Sequence, residues 1–192
     1  MRKSILFIFV LFVLDASLCA RTKATVDKQE AQAAYEYLNK VRRSPKDFSK
    51  EIKLNLSSVK AMPLLVWNDT LAQVAEARAT DMAEKDYFAH VNKKGEAVNI
   101  QLNRAGYVLQ PEFFKNKKEN SFESIAFGPA TGVEAIQGLI LDKGINPPNH
   151  RKHLLGMTDF WANCYDCGIG FVRTDNSKKP TYICVIIAKH KL

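Results

Sequence analysis

Apolar residues recur at helical spacing over the first two thirds of the chain. The pattern predicts helices over residues 26–42, from Asn68 or Asp69 to near Asp86, over 97–105, and over Gly132 to Asp142. Each predicted helix has one apolar face, as expected for helices that pack on a core. Arg78 falls inside the apolar stripe of the second helix. It must therefore lie over the core edge and snorkel to water, or find an acidic partner.

The last part of the chain has the composition of strands. Residues Cys167 to Val172 and Thr181 to Ala188 are rich in β-branched and aromatic side chains, and a polar turn separates them. They predict an antiparallel hairpin. Phe122 to Phe127 predicts a further short strand, and the polar, lysine-rich residues 108–120 predict a surface loop. Helices followed by paired strands predict an α+β fold, with helices packed on a small antiparallel sheet.

The N-terminus has the layout of a secretory signal peptide. Arg2 and Lys3 precede the apolar run Ile5 to Leu14, and small residues follow up to Ala20. The run is about half of the ~20 residues that span a bilayer. We predict a signal peptide over residues 1–20, a linker over 21–29 and one domain over 30–190. The product would be secreted, or periplasmic or at the cell surface in a bacterium, without a transmembrane segment in the mature chain. A retained anchor, or lipidation of Cys19, is the alternative.

Charge favours anionic partners other than nucleic acid. The 192 residues carry a formal net charge of +8, which attracts anionic surfaces such as lipid head groups and acidic polysaccharide. The lysines are scattered and are not interleaved with aromatic residues. The sequence therefore lacks the stripe that binds single-stranded nucleic acid.

Three cysteines remain after the predicted cleavage: Cys164, Cys167 and Cys184. In an oxidising compartment we expect a structural disulfide that includes Cys184. The C-x-x-C spacing of the first two could indicate zinc or redox chemistry. Neither is favoured, because the chain has no second C-x-x-C and no βαβ unit around the motif.

Four titratable residues stand in segments that suggest a site. His90 follows a helix exit, Glu123 lies on an apolar segment, Asp142 ends an apolar helix, and His150 begins a short helix after Pro147-Pro148. Carboxylates in apolar settings need partners. Imidazole and carboxylate groups together can share protons or hold a divalent ion.

The order of motifs resembles that of the CAP superfamily, the cysteine-rich secretory, antigen 5 and pathogenesis-related 1 proteins, also called the SCP domain. The motifs are Leu38-Asn39-x-x-Arg42, Leu65-x-Trp67-x-x-x-Leu71-Ala72, Tyr87-Phe88-Ala89-His90, Gly106-Tyr107, Glu123-Ser124-Ile125-Ala126, His150-Arg151-x-x-Leu154-Leu155 and Cys167-Gly168-Ile169-Gly170-Phe171. Each motif is weak alone, but together they extend over about residues 30–188 in the family's order.

The resemblance implies an α–β–α sandwich with a solvent-facing cleft of two histidines and two acids. His90 and His150 match the family histidines, which can hold Zn²⁺ or another divalent ion, here weakly bound. Glu123 matches the glutamate of the family's Gly-Glu-Asn motif, although Ser124 replaces the asparagine. Asp142 matches the second acid, and Glu134 is the alternative.

The remaining polar residues receive simpler interpretations. We expect His153 on a helix surface and His190 in a basic tail. Arg151 could pair with Glu123 or Asp142.

Three functions remain open from the sequence. The resemblance implies an extracellular binding module for a lipid, a sterol, an acidic glycan or a protein, and the family shares no general catalytic activity. The alternative is a metal-dependent hydrolase or peptidase, for which Glu123 and Asp142 are the candidate catalytic residues. Two histidines are one ligand short of the usual catalytic zinc site, so the sequence leans away from an enzyme. A buried polar network without any ligand is the third possibility.

Overall fold

Helices and strands follow the predicted order. The computed structural model describes residues 22–189, so the signal-peptide prediction, Cys19 and His190 lie outside the described residues. The helices are α1 Lys28–Arg43, α2 Ser49–Ile52, α3 Asp69–Glu84, α4 Val98–Arg104, α5 Gly132–Leu141, α6 Asn149–Leu154 and α7 Asp159–Ala162. The strands are β1 Ala24–Val26, β2 Val66–Trp67, β3 Glu123–Phe127, β4 Asp166–Thr174 and β5 Thr181–Ala188. Within residues 22–189 no helix is both long and apolar enough to cross a bilayer.

Side-chain caps fix where the long helices begin. Asp27 accepts a hydrogen bond from the Glu30 backbone at the start of α1, and Asn68 accepts one from Leu71 at the start of α3. Each cap satisfies a backbone N–H that has no partner within the helix. Thr131 caps α5 in the same way.

The strands form a mixed five-stranded sheet in the order β1-β4-β5-β3. The predicted hairpin is present as β4 and β5, and β3 pairs antiparallel with β5. Strand β2 pairs parallel with β4 at the same edge as β1. Consequently β3 is an edge strand, and its N-terminal end carries Glu123.

Helix α3 packs against one face of the sheet at very short range. A Cβ atom on Gly168 would lie 2.1 Å from the Ala72 nitrogen, and one on Gly170 would lie 2.3 Å from the Glu76 nitrogen. Glycine is therefore required at both positions on β4. Because side chains alternate along a strand, the neighbouring residues Cys167 and Ile169 face the opposite side, where α1, α5 and α6 lie. The helices and sheet thus form the α–β–α sandwich that the resemblance implied.

All three described cysteines are free thiols, so the expected disulfide with Cys184 is not formed. The sheet register explains this result. Cys184 lies opposite Gly170, whereas Cys167 lies opposite Ile187. Three residues along a strand separate the two cysteines by about 10 Å, which is beyond the span of a disulfide. Burial raises the pKa of Cys164 to about 11 and that of Cys167 to about 12.

Candidate binding cleft

A surface cleft lies beside the N-terminal end of β3. Its volume is about 320 Å³. Most of the residues that line it are of polar types: His90, Asn120, Ser121, Glu123, Ser124, Asn149, His150, His153 and Trp161. Three of the four residues predicted from the sequence, His90, Glu123 and His150, line it directly, and Asp142 contacts His150 from behind.

Two consecutive residues of β3 connect the cleft to both helical layers. Glu123 faces the α3 side, where it meets Arg78, and Ser124 faces the opposite side, where it meets His153 of α6. The alternation of side chains along a strand produces this arrangement. The cleft therefore lies across the end of the sheet, with groups from each layer on its two sides.

Arg78 is the buried partner of Glu123. Its Nε and Nη2 atoms donate to the two carboxylate oxygens at 2.8 and 3.3 Å. The guanidinium also donates to the Tyr87 hydroxyl at 2.9 Å and to the Ala89 carbonyl at 2.8 Å. Of the two sequence interpretations, the acidic partner is correct and the snorkelling side chain is wrong, because Arg78 has no exposed surface.

Glu123 is fully enclosed by hydrogen-bond donors. Burial opposes its ionisation, but the hydrogen bonds from His90 and Arg78 outweigh burial and hold its pKa below the ordinary value. The thiol of Cys184 lies 3.4 Å from Oε1 and donates weakly to it. Glu123 is therefore a carboxylate whose capacity to accept hydrogen bonds is largely used within the protein.

The His90 imidazole is held at one nitrogen. Its Nδ1 lies 2.9 Å from Glu123 Oε2. Since an ionised carboxylate only accepts hydrogen bonds, Nδ1 carries a proton, and Nε2 is the ring nitrogen that is left for a ligand. The Asn120 amide lies beside the ring, 3.0 Å from Nδ1, and also bonds both the backbone N–H and carbonyl of Glu123.

Asp142 and His150 form a second pair of the same kind. Asp142 follows α5 in the left-handed conformation, with φ of 51°. One carboxylate oxygen lies 2.8 Å from His150 Nδ1. The other accepts from the backbone N–H groups of His150 and Arg151 at 3.1 and 3.3 Å. The bend after α5 and the start of α6 thus fix the orientation of His150.

Asp142, and not Glu134, is the acid that contacts a cleft histidine. Glu134 lies in the first turn of α5, at the far end of that helix, where it is exposed and accepts from the Ala130 backbone. The shorter side chain of Asp142 reaches His150 because Asp142 itself caps the end of the helix beside α6.

Two expectations for α6 and its surroundings are wrong. The Arg151 side chain pairs with neither Glu123 nor Asp142; it donates to the carbonyls of Ile140 and Leu141 at 2.7 Å each. His153 is not on the surface. It is buried, its Nδ1 lies 2.8 Å from Ser124 Oγ, and burial lowers its pKa to about 3.

Sequence reasoning missed Arg78, Asn120, His153 and Trp161 as members of the site. Arg78 gave a signal, because a charged residue inside an apolar stripe demands a partner. His153 lies one helical turn from His150, which would place it near the same site. The sequence gives no signal for Asn120 and Trp161. An amide in a loop and an aromatic residue near the core occur in many structural roles.

The two histidines face one another across the cleft. Their ring centroids are 6.3 Å apart with an interplanar angle of 36°. This separation allows one ion, with bonds of about 2.1 Å, to reach a nitrogen on each ring. The hydrogen bond from each Nδ1 to a carboxylate is the usual support of a metal-binding histidine. In residues 22–189 no three His, Cys, Asp or Glu side chains cluster as a metal site, so the protein would supply two ligands.

Comparisons with known proteins agree with this architecture. The family model "Cysteine-rich secretory protein family" (CAP) matches residues 35–187. An uncharacterized membrane protein of Bacillus subtilis, YlbC, is 31% identical over 91 residues, which are 47% of this chain and 22% of that protein. The chain thus spans about a fifth of the length of that curated relative.

Two solved structures share the fold. An outer surface protein of Borrelia burgdorferi superposes with a TM-score of 0.56 at 16% identity, over 88% of this chain and 99% of that one. An extracellular protein of Bacillus anthracis that contains an SCP domain gives 0.51 at 22% identity, over 84% of this chain and 42% of that one.

Proposed function

The chain belongs to the cysteine-rich secretory protein (CAP) family, and on that premise we propose that it is an extracellular binding module. In this proposal the cleft holds a divalent ion weakly on His90 and His150 and binds an anionic, hydroxyl-rich ligand, an acidic glycan. The signal-peptide pattern of residues 1–20 supports export. The two structural neighbours, an outer surface protein and an extracellular protein, support the same location.

One observation carries the proposal: both cleft imidazoles are tied through Nδ1 to buried carboxylates. Glu123 holds His90 at 2.9 Å and Asp142 holds His150 at 2.8 Å. With Nδ1 as the donor to the carboxylate, Nε2 is the nitrogen of each ring that is left to bind a metal ion. A divalent ion there would supply positive charge for an acidic ligand.

The lining of the cleft favours a glycan over a lipid or a sterol. Asn120, Ser121 and Asn149 offer amide and hydroxyl groups, and Trp161 offers a flat aromatic surface. Such groups match sugar hydroxyls and the apolar face of a sugar ring. An acyl chain or sterol needs a lining of mainly apolar residues, whereas Trp161 is the one large apolar side chain among the residues named above as the lining of this cleft.

The hydrolase alternative has no supporting observation. A general base must accept a proton from water in the cleft, but Glu123 already accepts hydrogen bonds from Arg78 and His90. Asp142 is similarly occupied by His150 and by two backbone N–H groups. Two protein ligands also fall short of the three that catalytic zinc sites normally use.

Calorimetric titration of the purified protein with Zn²⁺ tests the proposal. We expect one weak site in the wild type, its loss in the His90→Gln/His150→Gln double variant, and its retention in Glu134→Gln. An oligogalacturonate should then bind more tightly with Zn²⁺ than with EDTA. Equal Zn²⁺ heats in the wild type and the double variant would refute the metal site. Oligogalacturonate binding that is unaffected by Zn²⁺ would refute the role of the ion.

A further inference from the structure

Two exposed loops beside the cleft carry a group of lysines that form no ion pair within residues 22–189. We call this group the lysine surface, and it consists of Lys93, Lys94, Lys115, Lys117 and Lys118. All five residues are exposed. The Lys93 ammonium donates to the Lys85 carbonyl at 2.6 Å and lies over the Tyr87 ring. Residues 93–119 hold three more basic than acidic side chains.

The two loops form one surface because backbone contacts join them. The Ala97 N–H donates to the Lys117 carbonyl at 2.8 Å. The turn that contains Lys93 and Lys94 closes on itself, with the Asn92 N–H donating to the Glu96 carbonyl at 2.9 Å. The Lys117 side chain passes over Gly95, since a Cβ there would lie 4.0 Å from its ammonium nitrogen. These contacts hold the two loops side by side, with the Lys117 ammonium beside the turn that carries Lys93 and Lys94.

Nearby carboxylates do not neutralise these lysines. Within residues 22–189, none of the five ammonium groups lies within ion-pair distance of a carboxylate. Glu96, on the same turn, is bound by both terminal nitrogens of Arg104. By contrast, Lys85 and Lys179 elsewhere on the surface do pair with aspartates. Like charges that outnumber the nearby counter-charges repel one another, so an anionic partner would relieve that repulsion.

The lysine surface continues directly into the cleft. His90 precedes the first loop by three residues, and Asn120 follows the second loop by two. The amide of Asn120 lies 3.0 Å from His90 Nδ1. A span of three residues is about 10 Å at most, so a ligand chain leaving the cleft on this side runs over the ammonium groups.

From this continuity we infer that the lysine surface binds an extended acidic polysaccharide, one end of which occupies the cleft. The inference rests on the proposed glycan-binding function and adds a second, metal-independent contact along the polymer. Repeated carboxylates along the sugar chain complement the repeated ammonium groups, and the amide and hydroxyl groups at the cleft end suit its hydroxyls. Binding over several sugar units makes affinity increase with chain length.

Polygalacturonate fragments of defined length, titrated into the purified protein with EDTA present, test the inference. We expect long fragments to bind more tightly than trimers, and binding to weaken as salt is raised. The triple variant Lys115→Gln/Lys117→Gln/Lys118→Gln should lose about tenfold in affinity for long fragments, with a shallower salt dependence.

A charge-matched control distinguishes binding at the lysine surface from attraction of the polysaccharide to the net positive charge of the protein. The triple variant Lys46→Gln/Lys50→Gln/Lys53→Gln removes three exposed lysines around α2 and should change affinity less than threefold. Equal losses in the two triple variants, or no dependence on fragment length, would overturn the inference. Equal binding to polyglutamate or to phosphatidylserine vesicles would also overturn it, by assigning the surface to a peptide or a membrane.

Titration in EDTA keeps this outcome distinct from that of the proposed metal site, because no divalent ion is then available. A failed Zn²⁺ titration would refute the metal site and leave the lysine surface standing, whereas binding in EDTA that does not depend on fragment length would overturn the lysine surface.

Discussion

Arg78 and Glu123 form an ion pair of 2.8 Å in which neither side chain is exposed to solvent. The pair joins α3 to the edge strand β3 directly beneath His90. Removing the guanidinium leaves a buried carboxylate without its main counter-charge. We therefore expect Arg78→Met to lower the free energy of unfolding by about 3–5 kcal/mol.

Urea denaturation of the wild type and Arg78→Met measures that loss. The double variant Arg78→Met/Glu123→Leu should regain part of it, because the unpaired charge is gone. A loss below about 1 kcal/mol for Arg78→Met would show that the pair has the small effect of a surface ion pair.

Asp142 should matter for Zn²⁺ affinity, whereas Glu134 should not. Asp142→Asn keeps a residue that tolerates the left-handed conformation but removes the charge that supports His150. Loss of such an outer carboxylate weakens metal binding by about 10–100-fold. Calorimetry measures the Zn²⁺ affinity of Asp142→Asn and of Glu134→Gln, two variants of acids at opposite ends of α5. Similar affinities in both variants would contradict the assignment of Asp142 as the second acid.

His153 should make the protein sensitive to acid. Burial lowers its pKa to about 3 in the folded state, whereas the unfolded value is about 6.5. Between these values the unfolded chain binds more protons, so the free energy of unfolding falls as the pH is lowered, by up to about 1.4 kcal/mol per pH unit.

Denaturation at pH 5.0 to 6.5 isolates this effect, since most carboxyl groups stay ionised in that range. His153→Gln should be less stable than the wild type at pH 8, where it loses the contact with Ser124, but its stability should depend less on pH. If the free energy of unfolding of His153→Gln depended on pH as strongly as that of the wild type, groups other than His153 would be responsible.

Gly170 should tolerate no side chain. A Cβ atom there would lie 2.3 to 2.6 Å from backbone atoms of Ala75 and Glu76 on α3. Relief requires α3 to move away from β4, so we expect Gly170→Ala to cost about 3 kcal/mol or more. Gly138→Ala, on an open face of α5, is the control and should be neutral or slightly stabilising. An equal change of melting temperature in both variants would contradict the tight packing of α3 on β4.

The regular elements could be predicted from the sequence because their periodicity is local. The apolar stripe on α3 encodes which of its faces is buried, and the continuous apolar run of β5 encodes a strand that is buried on both faces. The N-terminal strand β1 and the short helix α7 could not be predicted in this way. Three strand residues or four helix residues cover little more than one period, so no pattern recurs, and tertiary contacts decide their conformation.

In the candidate site, too, the local sequence predicts some features and the tertiary fold decides the others. His90, Glu123, Asp142 and His150 could be nominated because titratable residues in apolar segments need partners. The pairing of His90 with Glu123 and of His150 with Asp142 depended on the fold. His153 was misplaced because a short helix does not show which of its faces meets the sheet, and β5 covers the face that carries this residue.

The position of the cleft across the end of the sheet has a mechanical consequence. His90 follows the helix on one face of the sheet, and His150 begins a helix on the other, so their rings belong to different layers of the sandwich. An ion shared by both rings would act as a cross-link between those layers. Its binding free energy would then add to the resistance of the whole domain to unfolding, in proportion to the logarithm of ion concentration. The melting temperature would thus rise with the concentration of the ion.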